Sequence, residues 1–276
     1  MKGKGCNAVF FMLLLLAGTS AAMEMTGWGV SGWMENEIET AHISMGRIKN
    51  THPCWNVDLG MRGNLDCFGY LLAGIWTESD LDGNMREAHK WYFHELDPMV
   101  GYGYHWDVVK DIALESRVGA QWNYMAGYDG PDRRSYDEWQ LREELKMPWI
   151  TPWFGMRNFY CPVMKASFRL GVKRSFAITE RLSFDPNIWS DGGSARWNRQ
   201  RFGYSGCDVG DIPSGFNSLM VRMFFSYRLC DHVKLFGGVT EYVVLDPEIR
   251  HNLRSNPAEN SMRDIAVFTV GVRCEL

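Results

Sequence analysis

"IAVFTVGVRCEL", residues 265–276, carries the alternation that decides the fold. Ala266, Phe268, Val270, Val272, Cys274 and Leu276 share one side of a period-2 register, while Thr269, Gly271, Arg273 and Glu275 share the other. Successive side chains of a strand point to opposite faces, so this stretch is a strand with one apolar and one polar neighbourhood. Chain ends usually fray. Alternation held to the last residue implies that these residues are pinned between a greasy and a wet surrounding.

The pattern recurs upstream. "CWNVDLGMRG" (54–63) sets Trp55, Val57, Leu59 and Met61 against Asn56, Asp58, Gly60 and Arg62. In "FHELDPMVGYGYHW" (93–106) Val100, Tyr102, Tyr104 and Trp106 share a face. In "DIALESRVGAQWNY" (111–124) Ile112, Leu114, Val118, Ala120, Trp122 and Tyr124 oppose Glu115, Arg117, Gly119, Gln121 and Asn123. Strands are also read in "TGWGVSGWMENEI" (26–38), "DCFGYLLAGIWT" (66–77), "DEWQLREELKM" (137–147), "ITPWFGMRNF" (150–159), "KASFRLGVKRSF" (165–176), "TERLSFDPNIW" (179–189), "NSLMVRMFFSYRL" (217–229) and "HVKLFGGVTEYVV" (232–244). With the closing strand this makes about twelve, each of about 10 to 14 residues, against a usual mode near 5 or 6. A strand tilted across a bilayer needs about 9 to 11.

Connector lengths alternate. Tight turns follow strands 2, 4, 6, 8 and 10, as in "GNL" and "CDH"; long polar segments follow strands 1, 3, 5, 9 and 11, as in "TESDLDGNMREAHK" (77–90) and 190–215. Only "YCPVM" (160–164) is short on the long side. Short turns at one end and long loops at the other are the mark of an up-and-down membrane barrel, whose closure satisfies the backbone in lipid and leaves a polar lumen. Both ends of the chain then lie on the short-turn, periplasmic side, and Leu276 closes the barrel. Trp55, Trp76, Trp122, Trp139 and Tyr227, close to strand ends, read as an interfacial aromatic girdle. The competing fold is a secreted soluble β-sandwich binding protein, whose strands also alternate.

"MKGKGCNAVFFMLLLLAGTSAA" (1–22) has two lysines, an apolar run and a small-residue end, the three regions of a secretory signal peptide cleaved after Ala22. Its apolar run is shorter than the roughly 20 residues of a membrane-spanning helix. The expected organisation is a signal peptide over 1–22 and an all-β, closed antiparallel barrel domain over 23–276. Losing Lys2 and Lys4 makes the formal charge of −4 more negative by two, which gives no electrostatic reason to bind nucleic acid.

"FRLGVKRSFAITERLSFDPNIW" (168–189) followed by "GFNSLMVRMFFSYRLCDHVKLFGGV" (215–239) resembles the small porin-like outer-membrane barrel proteins of Gram-negative bacteria, mostly of unassigned function. The terminal strand is similar to their carboxy-terminal recognition strand, which commonly ends in Phe or Trp where this chain ends in Leu276. The resemblance implies residence in the outer membrane, contact with its lipids and its assembly machinery, and either passage of small solutes or ions or a structural role in the envelope.

With these faces, the inward set is Asp58, Arg62, Glu95, Asp97, His105, Glu115, Arg117, Glu138, Arg142, Glu144, Lys146, Arg169, Lys173, Asp185, Arg222, Arg228, Arg273 and Glu275. Charges of both signs beside a narrow path make a weakly selective pore, with Glu115, Arg117, Arg142, Glu144, Arg169 and Arg222 as pore-lining candidates. The same charges paired across the lumen make a plugged, structural barrel. A barrel of twelve strands lies between filled and open examples, so strand number leaves both readings standing.

No residue set reads as catalytic. The one enzymatic alternative is an outer-membrane lipid-ester hydrolase using His42 and Ser44 of "HISMGR", two apart on one face, with the Ser activated by the His. Glu78, Asp80 and Asp82 before Gly83 offer oxygens for a hard cation but lack the distal Glu of an EF-hand. The histidines form no HExxH site, and no metal or other cofactor is expected. "PDRR" (131–134) and "DPEIR" (246–250) read as loop turns. Cys54 is expected in a loop and able to pair with Cys161 or Cys207, while Cys67, Cys230 and Cys274 are expected in strands as small apolar residues.

Overall fold

The computed structural model describes residues 29–44, 47–81, 95–125, 136–159, 165–202, 212–254 and 263–275. Twelve long strands follow in chain order: β1 (Val30–Glu39), β2 (Cys54–Asn64), β3 (Tyr70–Asp80), β4 (Glu95–Val109), β5 (Ile112–Met125), β6 (Tyr136–Lys146), β7 (Thr151–Phe159), β8 (Lys165–Lys173), β9 (Leu182–Gly193), β10 (Gly215–Cys230), β11 (Val233–Val244) and β12 (Asp264–Glu275). Each pairs antiparallel with its sequence neighbours, and β1 pairs with β12, so the sheet closes on itself. The soluble sandwich is thereby excluded, since two packed sheets would leave edges.

The closing seam aligns Met34 with Cys274, Glu35 with Arg273 and Ile38 with Val270. Parity then carries around the ring. Leu71, Val100, Val118, Trp139, Leu170, Phe225, Phe268 and Val270 sit on the outer face with side chains 46–62% exposed, whereas Glu78, Glu95, Asp97, Glu115, Glu138, Glu144 and Asp191 on the inner face are at most 5% exposed. Soluble proteins put charge outside and apolar surface inside. The inversion is that of a sheet with lipid outside and a polar interior.

The inner faces of the sequence reading are borne out, with one correction among the aromatics. Trp55, Trp122, Trp139 and Tyr227 do point outward, but Trp76 shares the inner face with Asp58 and Asp97, its cross-strand partners. In "DCFGYLLAGIWT" both faces are apolar, so alternation there carried no sign of which side was wet. The strand also starts later than expected: residues 66–68 form a 3-10 turn ahead of Gly69, with Asp66 at φ 52°. Cys67 therefore stands exposed in a turn rather than in a strand. Cys54 is the buried first residue of β2 rather than a loop residue, and Cys161, Cys207 and Leu276 lie outside the described residues.

Two helices sit at the long-loop end, α1 (Ala195–Phe202) and α2 (Pro247–Arg254). The "DPEIR" turn is the start of α2: Asp246 Oδ1 accepts from the N–H groups of Glu248 and Ile249 at 2.9 Å each, and Pro247 occupies the first helical position, where no N–H is needed. Ser194 caps α1 through the N–H of Trp197. A hairpin, His42–Ser44 with Arg47–Asn50, fills part of the first long connection. "PDRR" lies outside the described residues, as do the proposed signal peptide and residues 82–94.

Closure depends on glycine at Gly271, where a Cβ would meet the carbonyl oxygen of Asn36 and the ring of Phe236. Gly63 has open space at the same point. Gly271→Val is expected to cut the yield of folded barrel several-fold, measured as the fraction that resists unfolding in detergent gels until heated. Gly63→Ala is expected to leave that fraction unchanged.

Candidate functional site

The site is the lumen wall. Six of its residues carry the sequence-level hypothesis, and the strands hold all six on the inner face: Glu115 and Arg117 on β5, Arg142 and Glu144 on β6, Arg169 on β8 and Arg222 on β10. They form two neighbouring ion clusters, one ion pair with Asp191 and one separate cation.

Glu115 is the hub of the first cluster. It accepts from the Tyr70 hydroxyl at 2.6 Å and from Arg117 Nε at 2.8 Å, and Lys146 Nζ also contacts it. Tyr70, whose ring carries the Arg62 guanidinium 3.5 Å from its centroid, ties β3 into the cluster. Glu144 is the hub of the second: it accepts from Arg142 Nε at 2.7 Å and from Lys173 Nζ at 2.8 Å. Lys173 reaches it from β8, past β7, which is possible only on the concave side of the sheet. The Arg142 guanidinium also lies over the Trp153 ring at 4.6 Å.

Arg169 donates to Asp191 at 2.5 Å, and Trp189 Nε1 holds the other oxygen of that carboxylate at 3.1 Å. Arg222 differs. Its guanidinium lies 4.7 Å from the Phe224 ring and 5.4 Å from the Trp189 ring, and its Nε meets no acceptor among the described residues. It is close enough to Glu35 and Glu37, on β1, to interact with both.

The sequence reading missed several members of the wall. Glu35, Glu37 and Glu39 form an acidic row on β1, whose partners Arg273, Gly271 and Thr269 are also inward. Glu78, Arg157 and Asp191 were missed as well; Arg157 pairs with Glu138 at 3.2 Å. Glu35, Glu37 and Glu39 in "WMENEIE", and Arg157 and Asp191, follow the same parity rule that found the others, whereas Glu78 follows "DCFGYLLAGIWT", whose two faces are both apolar.

Added together, the inner faces are polarised. On β1 to β4 they carry Glu35, Glu37, Glu39, Asp58, Glu78, Glu95 and Asp97 against Arg62. On β5 to β8 they carry Arg117, Arg142, Lys146, Arg157, Lys165, Arg169 and Lys173 against Glu115, Glu138 and Glu144. Gly155 leaves a notch of about 60 Å³ in the basic wall, bordered by Arg142, Arg157 and Arg169. A larger hollow of about 770 Å³, lined by Ile38, Met223, Phe225, Phe268 and Val270, opens on the apolar outer face and is not part of the lumen.

Part of the interior, on β9 to β11 and at Trp153 of β7, is apolar. Trp153, Trp189, Met220, Tyr242 and Val244 point inward and pack with Ile48 of the hairpin, Phe202 of α1, Ile212, and Ile249 and Leu253 of α2. The long loops thus turn their apolar side chains into the mouth and cover the wall from β9 to β11. Asn217, the extra residue at the β9–β10 bulge, fastens α1 by donating to Asn198 at 3.1 Å.

His42 and Ser44 lie on the hairpin. His42 Nδ1 is 3.4 Å from Glu39, and Nε2, the nitrogen a serine hydroxyl would need, is 3.7 Å from Glu78. Glu78 belongs to β3 rather than to a calcium loop, and Asp82 lies outside the described residues.

No family model and no curated protein matches the sequence. Among solved structures, the chain is similar to the COG4313 outer membrane channel from Pseudomonas putida F1, with a TM-score of 0.52 at 8% identity over 90% of this chain and 95% of that one. The KdgM porin aligns with a TM-score of 0.46 at 8% identity over 88% and 98%, and Pseudomonas aeruginosa OprD with 0.41 at 10% over 90% and 66%. What the chain shares with the COG4313 channel is the fold, the closed antiparallel all-β barrel that alternation and connector length predict.

Removing the Glu115 carboxylate charge leaves Arg117, Lys146 and the Tyr70 hydroxyl around a neutral group. Glu115→Gln is expected to destabilise the folded barrel by about 2 kcal/mol, read as a lower denaturant midpoint of unfolding in detergent. Lys146→Gln, at a half-exposed ammonium, is expected to cost less than about 1 kcal/mol.

Proposed function

We propose that the chain is a passive channel of the outer membrane, conducting small charged or zwitterionic solutes along a lumen with an acidic wall and a basic wall. The observation that carries this reading is the polarisation itself. A barrel that used its interior charges only for cohesion would need opposite charges within reach of one another, as around Glu115 and Glu144. On β1 Glu35 does meet Arg273 at 3.4 Å, but the acids on the inner faces of β1 to β4 outnumber the cations there and find their counterweight on β5 to β8, which leaves a transverse field in the space between. Such a field orients a dipolar solute and passes both ions with a mild preference. Glu115, Arg117, Arg142, Glu144, Arg169 and Arg222 are the residues that set that preference.

In this reading residues 1–22 are the signal peptide, the mature chain starts at Met23, and the outer-membrane assembly machinery inserts the barrel among its lipids. The apolar cluster of hairpin and helices narrows the mouth on the β9 to β11 side. Solute passes along the charged wall opposite it.

The mature chain, refolded and inserted into a planar bilayer, is expected to give discrete current steps. Arg142→Gln with Arg169→Gln is expected to move the zero-current potential in a salt gradient toward cation preference, and Glu35→Gln with Glu37→Gln toward anion preference. Folded barrel that gives no steps, or a preference unmoved by either pair, would replace the channel with a structural barrel. Ile249→Ser with Leu253→Ser, which loosens the apolar cluster, is expected to raise the conductance of each step or the time spent open.

A further inference from the structure

The first long loop leaves the barrel through a group of side chains that neither the ion clusters nor the apolar plug uses. Glu39 is the last residue of β1, His42 opens the hairpin, Cys54 is the first residue of β2 and pairs with Glu39, and Glu78 lies near the end of β3, opposite Asn56. One ligand atom from each of Glu39, His42 and Cys54 lies within 4.8 Å of the other two. Glu78 approaches the same imidazole from its other side, 3.7 Å from Nε2. Cys54 and Glu78 are fully buried and Glu39 is 8% exposed. Among the described residues Cys54 forms no disulfide.

We propose that Glu39, His42 and Cys54 form a site for a divalent transition metal of the zinc class, with a water completing the coordination and Glu78 facing the ring nitrogen turned away from the ion. The donor set makes the choice. A thiolate, an imidazole and a carboxylate are the N, S and O ligands that zinc takes in tetrahedral geometry, whereas calcium and magnesium take oxygens alone. Bonds of about 2.0–2.3 Å around a tetrahedral ion put the ligand atoms roughly 3.3–3.8 Å apart, and torsions of three side chains cover the difference from the spacing seen.

The location gives the ion a task. His42 begins the hairpin whose Ile48 is buried in the apolar cluster at the mouth. An ion held by His42 on one side and by β1 and β2 on the other staples that hairpin to the barrel rim. The Trp76 ring, with its centroid 5.7 Å from that of His42, is a built-in optical reporter.

The test uses the folded mature barrel in detergent, stripped with a chelator and titrated with zinc by calorimetry and with cobalt by absorbance. One ion per chain is expected, not displaced by excess calcium or magnesium, with a thiolate-to-cobalt charge-transfer band and a change in tryptophan emission. Cys54→Ser is expected to abolish the band, and His42→Ala to weaken binding about tenfold or more. Cys230→Ser, at the opposite end of the barrel, is expected to change nothing. Should Cys54→Ser fail to fold, the wild-type band and its loss in His42→Ala decide the matter. Absence of the band from folded wild-type protein, or zinc binding that survives both substitutions, would overturn the site and leave the cluster as a buried ion pair.

Discussion

Everything in this protein follows from closure of the sheet at the β1–β12 seam. A backbone N–H or C=O left unpaired in hydrocarbon costs several kcal/mol, so a sheet can cross a membrane only as a ring. Once Glu35 is set opposite Arg273 and Met34 opposite Cys274, the twofold period of the strand fixes the side on which every other side chain lies. The outer surface becomes a band of Leu, Val, Phe and Trp, and most strand charge is driven inward, with Glu143 and Glu241 among the exceptions on the outer face. The glycines at the seam are part of the same constraint, because strands that close tightly leave no room for a Cβ at Gly271.

The enclosed charges are arranged in two ways at once. Around Glu115 and Glu144 the carboxylates are met by Arg, Lys and Tyr donors at hydrogen-bond distance, which removes the penalty of burying them. Along β1, β2 and β3 the acidic residues outnumber the basic ones; Glu35 meets Arg273 on the adjoining β12, and the rest of the counterweight is on the strands across the lumen. The first arrangement gives cohesion; the second gives a field. The interior is divided a second time by the long loops, which bring Ile48, Phe202, Ile249 and Leu253 onto the inward-facing Trp153, Trp189 and Tyr242. Aromatic residues on a lumen wall have no use for water, and the loop side chains cover them.

The rim is where these systems meet. The hairpin that contributes Ile48 to the apolar cluster begins at His42, between two carboxylates and beside a thiol. The mouth is therefore held by packing on one flank and by a charged, ligand-rich group on the other, and any change at that group is felt by the segment covering the lumen.

The sequence alone determined the class of fold, the number of strands, the face on which Glu115, Arg142 or Arg169 lies and the end at which the loops gather, because a period of two and the length of a connector are local properties. It did not tell the two sides of "DCFGYLLAGIWT" apart, since both are apolar, and Trp76 was misplaced for that reason. It read "DPEIR" as a turn where Asp246 and Pro247 begin a helix with an apolar face to bury. Only the tertiary structure decided which charges oppose one another across the lumen, that the loops fold back over Trp153 and Trp189, and that Glu39, His42, Cys54 and Glu78 share one place. Those are relations between residues far apart in the chain, and they exist only once the ring has closed and brought three strand ends and a hairpin to the same point on its rim.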